Sequence, residues 1–257
     1  MGSNTPTLQH SGIPIHPPSV NAIGLWFPSP VRYADGVRMQ EALVAARQAD
    51  RIPDTVLFLE HAPVITLGRR GRKNFLLATP EQLQQHGVDL VHSSRGGDVT
   101  YHGPGQLVMY PVIKLGTAEA DAHGYLKNLE EIAIRTAAAF GITARRRPGM
   151  NGAWTDAGKI AAIGFHLKRW VTMHGMSFNV NLDLRGFSLI VGCGLVGERV
   201  SSLAEQLGER CPNLPAVRDV MARCFGEVCQ RPLAMHTFGQ DCPEVVQKAV
   251  ADSGFPL

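Results

Sequence analysis

The stretch "KIAAIGFHLKR" (Lys159–Arg169), followed closely by "MHGMSFNVNLDL" (Met173–Leu184), decides the fold. Both segments read as long strands, and their short separation makes them antiparallel neighbours. Just upstream, Asn151-Gly152 and "DAGK" (Asp156–Lys159) are turn signals that flank a short strand, "AWT" (Ala153–Thr155). Working outward, "TVLFLE" (Thr55–Glu60) and "VITLG" (Val64–Gly68) are two further strands separated by the turn-like "HAP". "VDLVHSS" (Val88–Ser94) and "QLVMYPVIKL" (Gln106–Leu115) are strands entering and leaving the loop between them.

Helical spacing lies between these strands. Met39, Leu43, Val44 and Ala46 gather on one side of "VRMQEALVAARQ", and Leu126, Leu129, Ile132, Ala133 and Thr136 on one side of residues 121–140, which Gly141 stops. "TPEQLQQHG" carries full punctuation: Thr79 as N-cap, Pro80 at the first helical position, Gln82 completing a capping box and Gly87 as the stop. Helical patterns recur in "SSLAEQLG", "AVRDVMARCFGEVCQR" and "PEVVQKAVADSG". No repeat is visible, so a solenoid is not expected. The sum is an α+β, mixed α/β chain: a mainly antiparallel mixed sheet with helices on it. Its organisation reads as a flexible leader over 1–20, a single catalytic-size domain over 21–235 and a C-terminal tail over 236–257 packed on or trailing it.

The chain has 257 residues, 44% of them apolar, enough for a full core. Its longest apolar runs are too short to cross a bilayer, and the N-terminus lacks a basic start followed by an apolar block, so a cytoplasmic protein is expected. Five cysteines, an odd and sparse set, fit reduced thiols better than a disulfide framework. A net charge of +3 is too small to imply nucleic-acid binding, although "RRGR" (Arg69–Arg72) and "RRR" (Arg145–Arg147) concentrate positive charge.

Two residues stand out chemically. Cys193 sits in "LIVGCGLVG" between Gly192 and Gly194, which permit a sharp exposed turn with free N–H groups, suited to a nucleophile whose tetrahedral intermediate needs donors. The alternative is a small core hydrophobe. A thiol is mostly protonated at neutral pH, so a catalytic Cys193 needs a cation or base nearby, and Lys159, His102 and His174 are the candidates. Lys159 opens its strand directly after a turn, placed either inward at the sheet end or as a strand-edge lysine in water. His102 and His174 lie in glycine-containing segments and could donate to a substrate carbonyl, or be satisfied polar groups. Cys211, Cys224, Cys229 and Cys242 invite a zinc reading. The central pair, however, would stand about 140° apart around a helix, poor geometry for one tetrahedral ion. The loop "RGGDVTYHGPGQ" (Arg95–Gln106) is neither a P-loop nor a dinucleotide fingerprint.

Taken together, "RGGDVTYHGPGQLVMYP", "GKIAAIGFHLKR", "MHGMSFNVNLDL" and "CG", in that order, resemble the lipoyl(octanoyl) transferases over roughly Val56 to Leu207. The resemblance implies the fold shared with biotin and lipoate protein ligases. It implies Cys193 as the acyl-accepting thiol and Lys159 as the lysine that lowers its pKa. It places substrate contacts on Arg95, Gly96, Gly97, Asp98, Val99, Thr100, Tyr101 and His102, on Ala162, Ile163 and Gly164, and on Gly175, Met176 and Ser177. Gly192 stands where many family members carry proline. The implied reaction moves octanoyl from acyl carrier protein to a lysine of lipoyl domains, those of 2-oxoacid dehydrogenase complexes and the glycine cleavage H protein, through a cysteine thioester. It uses no ATP and no metal, and involves no nucleic acid or membrane. Tyr101 and His102 are then expected to wall a slot for a thin acyl chain, and both basic runs to attract an acidic carrier. The rivals are an ATP-dependent lipoate or biotin ligase, which needs no thiol, and a silent lipid-binding module.

Overall fold

In the computed structural model, which describes residues 22–71, 75–191 and 198–256, two strands near the middle of the chain organise everything else. They are the ninth and tenth of a series running β1 (Ala22–Trp26), β2 (Thr55–Leu59), β3 (Val64–Leu67), β4 (Asp89–His92), β5 (Val99–His102) and β6 (Gln106–Val112). The series continues with β7 (Arg145–Arg147), β8 (Met150–Thr155), β9 (Gly158–Lys168), β10 (Val171–Asn179) and β11 (Leu233–Thr237). The helices are α1 (Tyr33–Gln48), α2 (Pro80–Gln85), α3 (Ala122–Ala139), α4 (Leu203–Leu207), α5 (Leu214–Val228) and α6 (Glu244–Ala251).

The β9–β10 hairpin is antiparallel from Lys168↔Val171 to Ala161↔Phe178. Its two-residue turn, Arg169-Trp170, holds both residues in the left-handed region, φ 50° and 61°, the conformation a turn matched to strand twist demands. The large sheet runs β11-β1-β2-β6-β10-β9-β8-β7. Only the β11–β1 and β1–β2 pairs are parallel, so the sheet is mixed and mainly antiparallel.

Strand alternation divides the core. Val56 and Phe58 of β2, Leu107 and Met109 of β6, and Met176 and Phe178 of β10 pack with Leu129 and Ile132 of α3 and Met221 and Phe225 of α5. The intervening residues Leu57, Leu59, Val108 and Tyr110 pack with Met39 and Leu43 of α1 and Val246 and Val250 of α6. Helices therefore cover both faces of the central strands, which is why β2 and β6 are buried along their whole length. No helix among the described residues is long and apolar enough to cross a membrane.

Local punctuation behaves as its chemistry dictates. Thr79 Oγ1 accepts from Gln82 N–H and Gln82 Oε1 accepts from Thr79 N–H, the reciprocal capping box. Gly87 follows at φ 61°. Asp121 caps α3, although Tyr125 rather than Leu126 takes the fully buried place on its inner side.

The sequence leaves one pairing open, and two readings need correction. The strands "TVLFLE" and "VITLG" belong to different sheets, because β3 joins β4 and β5 in a separate three-stranded sheet. Between them Val31 pairs with Glu60 and Ala62 and redirects the chain. Asn151-Gly152 is not a turn but lies within β8, and the turn is Pro148-Gly149, where Gly149 supplies the positive φ of 75°. Gly152 is required for another reason: a side chain there would run into Ala161 O and stand 2.7 Å from Lys159 Cε. Finally, "RRR" is an edge strand, β7, with each arginine paired: Arg145 to Asp156, Arg146 to Glu130 and Glu131, Arg147 to Glu198. Residues 1–20, read as a leader, lie outside the described residues.

Candidate active site

A cavity of about 530 Å³ opens where the loop between β4 and β5 crosses the β9–β10 hairpin. Its walls are Ala162, Ile163 and Gly164 of β9, Gly175, Met176 and Ser177 of β10, Thr100 and His102 of β5, and Tyr110 of β6. Lys159, the turn residue Gly149 and the first β8 residues Met150 and Asn151 complete it, with Phe75, Arg70, Arg95, Gly97 and Asp98.

The loop's glycines serve packing of backbone on backbone. Gly96 N–H donates to Phe165 O, and a side chain at Gly164 would stand 2.6 Å from Gly96 O. The loop thus lies flat on β9 at Gly164, the position in the middle of the strand that has no side chain. Arg95 pins it from inside. Its guanidinium is buried and donates to Thr66 Oγ1 and Thr66 O on β3 and to the carbonyls of Gly96 and Asp98. Arg95→Ala would leave these buried acceptors unpaired, and we expect it to lower stability by about 2–3 kcal/mol. Chemical denaturation measures this, and an unchanged midpoint would contradict the role.

Alternation along β5 sorts the remaining expected contacts. Thr100 and His102 face the cavity, whereas Val99 and Tyr101 face a third apolar cluster with Ile65, Leu67 and Leu182. Tyr101 stacks edge-on against Phe187 and therefore does not wall the slot beside His102.

Lys159 is buried at 8% exposure, so the strand-edge lysine in water does not describe it. Its backbone is fixed on both sides, N–H to Arg199 O and carbonyl from Ser201 N–H. Its Nζ lies 5.1 Å from the centre of the Trp154 ring. Cys193, with Gly192 and Gly194, lies outside the described residues. Val191 N–H donates to the carbonyl of Phe75 on the cavity wall, and Glu198, paired with Arg147, borders a smaller pocket that shares Lys159 and Ala162 with the cavity.

One wall of the cavity is backed by a buried set of rings, His102, Tyr110 and His174 on the wall and His61 behind them, that sequence reading gave only in part. His61 Nδ1 lies 2.8 Å from Val31 O, which can only accept, so that nitrogen carries the proton and Nε2 accepts from Tyr110 Oη. Gln106 Nε2 donates to Asn179 Oδ1 and Tyr101 O, leaving its Oε1 to accept from His102 Nδ1. The neutral His102 ring therefore offers Nε2 as an acceptor, not as the donor to a carbonyl that its sequence context suggested. His174 adopts φ 58° within β10, held there by its N–H bond to Gln40 Oε1 of α1. Its Nε2 meets Ser94 Oγ at 3.0 Å, and its buried Nδ1 has no partner among the described residues. Burial is the main cause that lowers His61 to about 4, His174 to about 3, and His102 well below the usual histidine range. His61, Tyr110 and Gln40 carried no local signal, since each matters only through a partner distant in sequence.

No group of three or more His, Cys, Asp and Glu side chains able to hold a metal occurs among the described residues. Cys224 and Cys229 are buried in the core instead.

Residues 32–226 match the model of the lipoyl protein ligase A/B catalytic domain. An octanoyltransferase of Geobacter metallireducens is 46% identical over 193 residues, 75% of this chain and 87% of that protein. One of Caldicellulosiruptor saccharolyticus is 42% identical over 225 residues, 87% of this chain and 95% of that protein. Among solved structures, a lipoate-protein ligase A bound with ATP superposes with a TM-score of 0.73 at 16% identity, covering 90% of this chain and 92% of that one. A bipartite lipoate protein ligase of Thermoplasma acidophilum gives 0.67 at 16% identity, covering 90% and 91%. These two likenesses concern the fold alone.

Proposed function

Since the chain belongs to the lipoyl protein ligase A/B catalytic-domain family, with octanoyltransferases among its relatives at 42–46% identity, we infer that it is an octanoyltransferase acting in protein lipoylation. The observation that carries the placement of the chemistry is Lys159, buried on the cavity wall beside a stretch of small and apolar residues, Ala162, Ile163, Gly164, Gly175 and Met176, that suits a thin acyl chain.

The reaction runs in two halves. Cys193 thiolate attacks the carbonyl carbon of an octanoyl thioester on acyl carrier protein. The carbon–sulfur bond to the phosphopantetheine arm breaks, and that sulfur leaves and takes up a proton. The Lys159 ammonium stabilises the Cys193 thiolate before attack and again when it is regenerated. In the second half the ε-amine of a lipoyl-domain lysine attacks the enzyme thioester, loses a proton and forms the amide, releasing Cys193. A thioester is already activated, so neither half requires ATP or a metal. The substrate-binding set is the one named from sequence, with Arg95 and Gly96 acting through the position of the loop and Val99 and Tyr101 through the strand behind it. Residues 21–235 carry the catalysis and 236–257 pack against it.

With octanoyl-acyl carrier protein and an unmodified lipoyl domain, and no nucleotide present, the expected result is a lipoyl domain heavier by one octanoyl group. Modification that occurs only with free octanoate and ATP would instead assign the cavity to a ligase.

A further inference from the structure

The two basic runs differ in a way the sequence conceals. Arg145, Arg146 and Arg147 are all neutralised by carboxylates. Arg69 and Arg70, after β3, and Lys168 and Arg169, at the end of β9, are exposed and have no side-chain hydrogen bond or ion pair among the described residues. The two pairs are far apart in sequence but share one rim. Arg69 N–H donates to Arg95 O and Arg70 N–H to Gly97 O, fixing both arginines to the glycine loop, and the Arg70 side chain lines the cavity. The same loop is bonded to Phe165 of β9. His166 follows Phe165 on β9 with Lys168 two residues on, on the same side of the strand, and both Arg69 and Lys168 lie close enough for their charges to act on His166. Beyond Lys168 the β9–β10 turn presents Arg169 and Trp170, the latter 46% exposed at φ 61°, an exposure unusual for so large an apolar side chain.

We propose that this rim, Arg69, Arg70, His166 and Lys168, extended by Arg169 and Trp170 of the adjoining β9–β10 turn, is the surface on which the acidic acyl carrier docks to deliver its acyl arm. The proposal rests on reading the cavity as an octanoyl-transfer site. Unpaired cations around a cavity mouth steer an acidic partner and fix its orientation. The arm joins its protein through a phosphodiester, an anion that guanidinium groups at the mouth match in geometry as well as charge. From that rim the arm would run along β9 toward Lys159. Trp170 offers apolar contact at the edge. The Arg145–Arg147 run has no charge to spare for such a partner.

The test compares two donors, octanoyl-acyl carrier protein and octanoyl-pantetheine, which has neither the acidic protein nor the phosphate. In Arg69→Glu and in the double variant Lys168→Glu/Arg169→Glu, KM for the carrier-linked donor is expected to rise on the order of tenfold at low salt and to approach wild type as salt is added. The rate with octanoyl-pantetheine should stay at the wild-type value, which also shows that each variant is folded. Arg145→Glu makes the same charge change away from the rim and should leave both donors unaffected. Equal losses with both donors, a KM change for the lipoyl domain alone, or an effect of Arg145→Glu as large as that of Arg69→Glu would overturn the assignment. If wild-type protein uses neither donor, the octanoyl-transfer reading itself fails, a result distinct from any of these.

Discussion

Lys159→Met is expected to lower kcat/KM for octanoyl transfer by roughly 10²–10⁴-fold while leaving the protein folded. Methionine keeps the length and apolar stem of lysine, so the packing of Cε beside Gly152 and the backbone bonds to Arg199 and Ser201 survive. What disappears is the ammonium. If that charge holds the Cys193 thiol as thiolate, its loss shifts the pH dependence of Cys193 alkylation upward, because the thiolate is the reactive form. A merely structural lysine would not move that profile. A variant that alkylates with the wild-type pH profile and retains more than about a tenth of the wild-type kcat/KM would remove Lys159 from the mechanism.

Acid is expected to destabilise the protein well before its carboxylates titrate. His61 and His174 have folded-state values of about 4 and about 3, below the ordinary 6.5, because burial disfavours the charged ring. The sign follows directly. Between those values and 6.5 the unfolded chain binds protons that the folded chain excludes. The stability these neutral rings allow is therefore complete above about pH 6.5 and is lost as pH falls toward 4. Each group contributes at most about 1.4 kcal/mol per pH unit, so the two together should cost on the order of 3–4 kcal/mol between pH 7 and pH 5. Urea denaturation at the two values measures the difference. Equal midpoints would mean that protons reach these rings in the native state. Tyr110 and His102, which share the cavity wall with His174, make acid inactivation an expected companion of the lost stability.

How much of this was legible in the sequence depends on the range of the interaction. The β9–β10 hairpin and the α2 capping box were readable because alternation and capping act within a few residues. The glycine loop was visible as a loop, but its target was not. Gly164 as the crossing point for Gly96 is a contact between segments some 70 residues apart, and nothing local encodes it. Asn151-Gly152 misled for a related reason: glycine is demanded there by Ala161 O and Lys159 Cε on the neighbouring strand, not by a turn. The short strands β1 and β11 escaped notice because five residues carry little periodicity, and β7 because its three arginines read as a solvated run. For the site, Lys159 was readable as a residue and its burial was not. The inward bonds of Arg95 and the two tautomers fixed by Val31 and Gln106 emerge only from the fold.

The central claim is that Cys193 carries the acyl group between donor and acceptor. Intact-protein mass after mixing with octanoyl-acyl carrier protein, with no lipoyl domain present, tests it most directly. The account predicts a gain of one octanoyl group, removed by hydroxylamine and absent in Cys193→Ala. A protein that acylates the lipoyl domain without ever gaining that mass, or a Cys193→Ala variant that gains it undiminished, would contradict it.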